Sequence, residues 1–267
     1  MLAAGDCGAW PLAAGPSCAG EGRRIFRAAV AGLGLPDDLI YDGMTMTSEL
    51  AANTRHAQQR ARDDGGPVPP VAGPELWLYL RSAAGRWELV CKVFDSLAGW
   101  RDGGPPVPAA AGPDAVHGRG LQLVAGLSSG RWGHHLSRSR LGGRPVPGKV
   151  VWFGQPVPAA CVPAQLRRAW LRPGEASRQL AAMLAARGLG GGLLGTDDAG
   201  DGISVLSVRR GITVWCRPGL ISWQTRGGRY ERRGLTDLED AAEQIVCLCQ
   251  ELDGGQATGY PGNDRVR

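Results

Sequence analysis

The residues best suited to chemistry lie in three short strings. In Glu49-Leu-Ala-Ala-Asn53-Thr-Arg-His56 a carboxylate, a carboxamide and an imidazole recur at offsets of four and seven, so on a helix they return to one face. A carboxylate and an amide one turn apart supply a proton acceptor and a hard oxygen ligand. Mg²⁺ takes such oxygens while keeping waters and phosphate oxygens in its shell. The same stripe also fits a solvated polar helix face. Asp95 ends the apolar run Val90-Cys-Lys-Val-Phe94. There it can accept a hydrogen bond from an exocyclic amine such as adenine N6, or cap a turn through its own side chain. Gly118-Arg-Gly120 opens a further helix, where glycines let the backbone approach an anion and the helix dipole favours negative charge. Glycines so spaced are equally compatible with a plain turn.

The elements that must position these residues follow from period and punctuation. Ala9–Leu12 reads as an edge strand, and Glu21–Gly34 as a helix on its apolar spacing of Ile25, Phe26, Ala29, Val30 and Leu33. Pro36-Asp37-Asp38 starts a second helix, running to about Arg62, that carries Glu49, Asn53 and His56. Glu75–Arg81 and Trp87–Phe94 read as a hairpin ending at Asp95, and 96–117 as a long Gly/Pro/Ala-rich loop of lid type. Gly118–Leu127 reads as a short helix, with Gly130–Leu136 and Lys149–Phe153 as strands.

Together the strings resemble the GHKL (Bergerat) ATP-binding family, most closely its single-domain anti-sigma-factor serine kinases of actinomycetes. Ser48-Glu-Leu-Ala-Ala-Asn-Thr-Arg-His-Ala57 is similar to the family's N box, Val93-Phe-Asp95 to its first glycine box and His117-Gly-Arg-Gly-Leu-Gln-Leu-Val124 to its second. Gly148-Lys-Val-Val-Trp-Phe153 matches the terminal strand, so the resemblance spans about residues 8–154. It implies a two-layer α/β sandwich, a mainly antiparallel sheet covered by helices on one face. It also implies ATP and Mg²⁺ as ligands. Glu49 would be the general base, Asn53 would hold the metal and Asp95 would read adenine. Gly118, Arg119, Gly120 and Leu121 would cradle the phosphates, with Arg119 adding charge. His56 would pack or orient Glu49. The implied partner is an anti-sigma-antagonist-like protein or a sigma factor, phosphorylated on serine or threonine or sequestered, and members of the family often dimerise. One departure is that Leu97 stands where the family's first glycine box has glycine; another is that the lid, Ala98–Val116, lacks lysine. Both favour a second class of function, a non-catalytic ATP-binding partner-switching module. A sensor histidine kinase fragment is disfavoured, because residues 1–35 contain no histidine.

Composition sets the remaining bounds. The chain has 267 residues, 43% of them hydrophobic, and no run of 18 apolar residues. With no secretory signal pattern, a cytoplasmic protein without membrane association is expected. The net charge of +5 is almost all arginine, Lys92 and Lys149 being the only lysines, and the basic residues are scattered without an aromatic stripe. No nucleic-acid partner is expected on that basis. Seven cysteines without CxxC spacing point to reduced, structural thiols. The domain reading is 1–155 for the ATP-binding unit, 156–173 for a linker, 174–253 for a small α+β domain and 254–267 for a disordered tail. In the small domain, Glu175–Ala186 is an amphipathic helix and Gly188–Gly202 a loop. Ile203–Val208, Ile212–Cys216 and Leu220–Trp223 are strands, with Arg209-Arg210 and Arg232-Arg233 in solvated turns. Thr236-Asp-Leu-Glu239 is a capping box for a last helix. Trp215 and Trp223 read first as core aromatics, and Cys216 has no partner for catalysis.

Overall fold

The computed structural model describes residues 7–64, 73–83, 85–97, 119–167, 171–192, 194–198, 202–225 and 227–253. The lid, Gly118 and the tail 254–267 lie outside the described residues. The element order is β1 (Gly8–Pro11), α1 (Cys18–Val30), α2 (Asp37–Asp63), β2 (Glu75–Ala83), β3 (Arg86–Asp95), α3 (Gly120–Leu127), β4 (Trp132–Arg138) and β5 (Pro147–Val157). Then come α4 (Ala164–Arg167), α5 (Pro173–Leu184), five strands β6 (Leu194–Asp198), β7 (Ile203–Arg209), β8 (Ile212–Arg217), β9 (Leu220–Gln224) and β10 (Tyr230–Gly234), and finally α6 (Leu238–Asp253). The fold is α+β with two antiparallel five-stranded sheets, ordered β1-β2-β3-β5-β4 and β10-β9-β8-β7-β6.

Helix α2 buries Gly43, Met46, Thr47, Leu50, Ala51 and Thr54, a 3–4 spacing that turns one stripe onto the first sheet. Glu49 and Asn53 fall beside that stripe. Gly43 lets α1 approach closely: a Cβ there would run into the Phe26 ring. On the sheet, Leu76 and Leu78 of β2 and Leu89, Cys91 and Val93 of β3 join this helix-side core.

The opposite face of that sheet is not open. Trp77, Phe94 and Val150 form a small apolar cluster there, and α6 lies across it, with residues around its whole circumference buried. The expected two-layer sandwich is thus extended: α1–α3, first sheet, α6 with α5, and second sheet stack in that order. The reason is legible in β3, where every residue from Glu88 to Asp95 is buried. A continuously buried strand needs cover on both faces.

Four other expectations change. The stretch 156–173 begins as the end of β5, and its Val162 and Leu166 belong to the first core, so it packs rather than links. The loop expected at Gly188–Gly202 contains β6, and the pair Arg232-Arg233 lies in β10 rather than in a turn. Glu239 of the capping box is turned away to Arg140, 2.6 Å distant. Among the described residues no helix is long and apolar enough to cross a membrane.

Candidate functional site

The site builds outward from α2. Glu49 is half-buried and Asn53 exposed, and both face Gly120, the first residue of α3. A Cβ at Gly120 would lie 2.7 Å from a Glu49 carboxylate oxygen and 3.4 Å from the Asn53 amide nitrogen. Any side chain at 120 would press on the Glu49 carboxylate, so glycine is what allows α3 to start against this polar stripe. Arg119 is exposed at the N-cap of α3, and Leu121 is half-buried against the first core. His56 is exposed and its Nε2 lies 2.6 Å from the guanidinium of its neighbour Arg55.

Asp95 sits at the last position of β3, buried, opposite Lys149 of β5. Its Oδ1 accepts the Leu97 backbone N–H at 3.0 Å, which is a turn cap, and the Gln58 amide at 3.3 Å. The Lys149 ammonium is 3.2 Å from Oδ2 and donates also to the Leu97 carbonyl. A carboxylate offers about four lone-pair positions, so these contacts leave acceptor capacity at Oδ2. The close strand approach here depends on Gly148, where a Cβ would collide with the Asp95 carbonyl. Gln58 stands nine residues beyond Glu49 on the same helix, an axial span of about 14 Å at 1.5 Å per residue. One helix therefore carries both the Glu49/Asn53 pair at Gly120 and the group that touches Asp95. Of the residues singled out, all but Gly118, which lies outside the described residues, are placed along this line.

Directly behind β3 lies a buried ionic cluster that the motifs did not signal. Lys92 of β3, His135 and Ser137 of β4, Arg140 after β4 and Arg187 after α5 converge on Glu243 of α6. Lys92 is 3.4 Å from Glu243 Oε2, to which the Ser137 hydroxyl donates at 3.1 Å, while Arg140 lies 3.2 Å from Oε1, with which Arg187 also pairs. The turn that delivers Arg187 needs Gly188 at φ +76°. Burial alone would raise the Glu243 carboxyl, but Arg187, Lys92 and Arg140 hold it well below the usual carboxylate range. His135 Nδ1 lies 2.8 Å from the Leu136 carbonyl and must donate to it, so neutral Nε2 accepts from Lys92 at 3.0 Å. Burial, then the Lys92 charge, pushes that imidazole down to about 4. Beside this cluster Asp240 takes Arg81 at 2.9 Å, Arg233 at 2.8 Å and the Tyr79 hydroxyl at 3.2 Å, and Asp237 accepts the Ser82 N–H at 2.7 Å. One signal did exist: Lys92 interrupts an apolar strand, and a buried charge of this kind must be paired.

The seven cysteines are free thiols, and burial pushes Cys91 and Cys7 up to about 12 and Cys18 to about 11, far from nucleophilic poise. Among the described residues no group of three or more His, Cys, Asp or Glu side chains could hold a metal by itself. No protein-family model matches the chain, and a search of the curated proteins finds no match.

Proposed function

We propose that the chain is an ATP-binding regulatory protein built on the Bergerat nucleotide fold, of the anti-sigma serine/threonine kinase type. The observation that carries this reading is the packing of the Glu49 carboxylate and the Asn53 amide against Gly120, with Gln58, further along the same helix, reaching Asp95 at the end of β3. The donor set fits Mg²⁺ as a phosphate-bound ion: one or two protein oxygens, with waters and phosphates completing the shell, not a protein cage. When bound, the ion would neutralise charge on the β- and γ-phosphates.

The chain's own residues then have separate tasks. The Asn53 carboxamide oxygen would hold the ion. Gly120 leaves room for phosphate oxygens at the first turn of α3, whose N–H groups favour anions. Arg119 adds positive charge at that turn. Asp95 accepts the adenine N6 hydrogen in the acceptor capacity left by Leu97, Gln58 and Lys149. Glu49 takes the proton of the attacking serine or threonine hydroxyl, which belongs to a regulatory partner of the anti-sigma-antagonist class.

A second reading, an ATP-binding module without phosphoryl transfer, rests on Leu97. Its carbonyl takes the Lys149 ammonium and its N–H caps Asp95, so the turn that glycine would loosen is tied down. Production of ADP with Mg²⁺ separates the two. The kinase reading expects slow ADP release that Glu49→Gln lowers about a hundredfold, the scale of a lost general base. Tight binding with no ADP released by the wild-type chain would leave only the second reading.

A further inference from the structure

The second sheet has a core on one face only. Val214, Cys216, Ile221 and Trp223 turn inward toward α5 and α6. Strand alternation therefore sends Trp215 and Arg217 of β8, Leu220 and Ser222 of β9, and Tyr230 and Arg232 of β10 to the other face. These six residues line an open groove of about 410 Å³, within the range of ligand clefts. None of the six is acidic.

The register assembles what the linear order conceals. Trp215-Cys-Arg217 and Tyr230-Glu-Arg232 each place an aromatic ring and a guanidinium two residues apart, on the same face of a strand. Trp215 pairs with Ser222, and Ser222 with Arg232, so ring, hydroxyl and guanidinium stand abreast across three strands. The Arg217 guanidinium lies 5.1 Å from the centre of the Trp215 ring and donates to the Ser222 hydroxyl at 3.2 Å. That holds a flat cation over a flat ring beside the groove. Tyr230 is 61% exposed, unusual for so large a ring. Neither Arg217 nor Arg232 forms an ion pair among the described residues.

We propose that this face binds single-stranded nucleic acid without sequence preference. Exposed rings and guanidinium planes on an open antiparallel sheet stack bases, and every base offers a π-face. The arginines take the phosphates, whose charge complements a groove lined by arginine and by no acidic residue. An acidic polypeptide would use the charge but leave the rings idle, so the paired ring-and-guanidinium pattern favours nucleic acid. The inference stands apart from the ATP site, which lies on α2, β3 and α3.

The test uses the full chain and the anisotropy of a fluorescein-labelled oligothymidylate, from low salt to physiological ionic strength. Trp215→Ala should weaken binding at least about fivefold, the loss of one stacked base, and Trp215→Phe should keep most of it. Arg232→Ala should weaken binding and lower the salt slope by about 0.7, the value for one phosphate contact on a single strand. Arg27→Ala, exposed on α1, should change nothing. Urea unfolding checks that each variant is folded. No anisotropy change at low salt overturns the proposal. So does binding that survives both Trp215→Ala and Arg232→Ala, or displacement by polyglutamate that depends on Arg232 and not on Trp215.

Discussion

Replacing Asp237 by asparagine should make the fold acid-sensitive, and replacing His135 by glutamine should reverse the sign of its response to acid. Burial and Lys92 bring His135 from 6.5 to about 4, and burial brings Asp237 from 3.8 to about 6 against the opposing Ser82 N–H. Between these limits the folded chain holds fewer protons on His135 than the unfolded chain does. The His135 contribution is complete above pH 6.5 and is lost as the pH falls toward 4. Asp237 does the reverse: its contribution is complete below pH 3.8 and is lost as the pH rises through about 6. Each shift corresponds to about 3 kcal/mol over its full range, with opposite signs. From pH 7 to pH 5, His135 gives up about 2 kcal/mol while Asp237 restores about 1 kcal/mol, so this pair changes by about 1 kcal/mol or less, to which His134, also lowered by burial, adds a loss in acid. Glu243 and Asp240, held low by their arginines and Lys92, begin to count only near and below their unfolded values of 4.5 and 3.8. Urea unfolding at pH 5, 6 and 7, followed by tryptophan fluorescence, reads the difference. Asp237→Asn should lose about 2 kcal/mol over that range and His135→Gln should gain about 1 kcal/mol. An Asp237→Asn variant as flat as wild type, or a His135→Gln variant that weakens in acid, refutes the assignment of buried protons to these two groups.

Two further substitutions probe the site and its backing. Gly120→Ala should leave stability within about 1 kcal/mol of wild type, because alanine's helix propensity offsets the displacement of a flexible carboxylate. It should still cut ADP release about a hundredfold by moving Glu49; undiminished turnover would show that the carboxylate does not act from this position. Glu243→Gln should destabilise the chain by about 3–5 kcal/mol in urea unfolding at neutral pH, since the buried Arg187, Lys92 and Arg140 lose their shared partner. A cost below about 1 kcal/mol would mean that the cluster is solvated rather than buried.

Much of the first unit can be read from the amino-acid string because its signals are local. Proline and two aspartates start α2, a strict 3–4 apolar spacing carries it, and Ala83 to Gly85 punctuates the hairpin. The relation of Glu49 and Asn53 to Gly120 could be anticipated from order and spacing alone, although only coordinates put the carboxylate against the glycine. What escaped was set by long-range pairing. Leu194-Gly-Thr-Asp-Asp198 has residues that strands disfavour and becomes β6 by pairing with β7. Arg233, expected in a solvated turn, reaches inward over Trp223 to Asp240. Helix α6 reads as an ordinary amphipathic helix until its polar residues, Glu239, Asp240 and Glu243, are seen to face the first sheet with its Arg81, Lys92 and Arg140. The outward face of β8–β10 is hidden for the same reason, since its rings and arginines become neighbours only through strand register.

The central claim is that α2, the end of β3 and the first turn of α3 enclose an adenine nucleotide with its metal. Isothermal titration of the full chain with ATP, with and without Mg²⁺, tests it most directly, alongside GTP and the Asp95→Asn variant. The account predicts Mg²⁺-dependent ATP binding, little response to GTP, and at least about a tenfold loss on Asp95→Asn, the scale of one hydrogen bond to a charged group. Absence of heat with every adenine nucleotide, or equal ATP affinity in the Asp95→Asn variant, would contradict it.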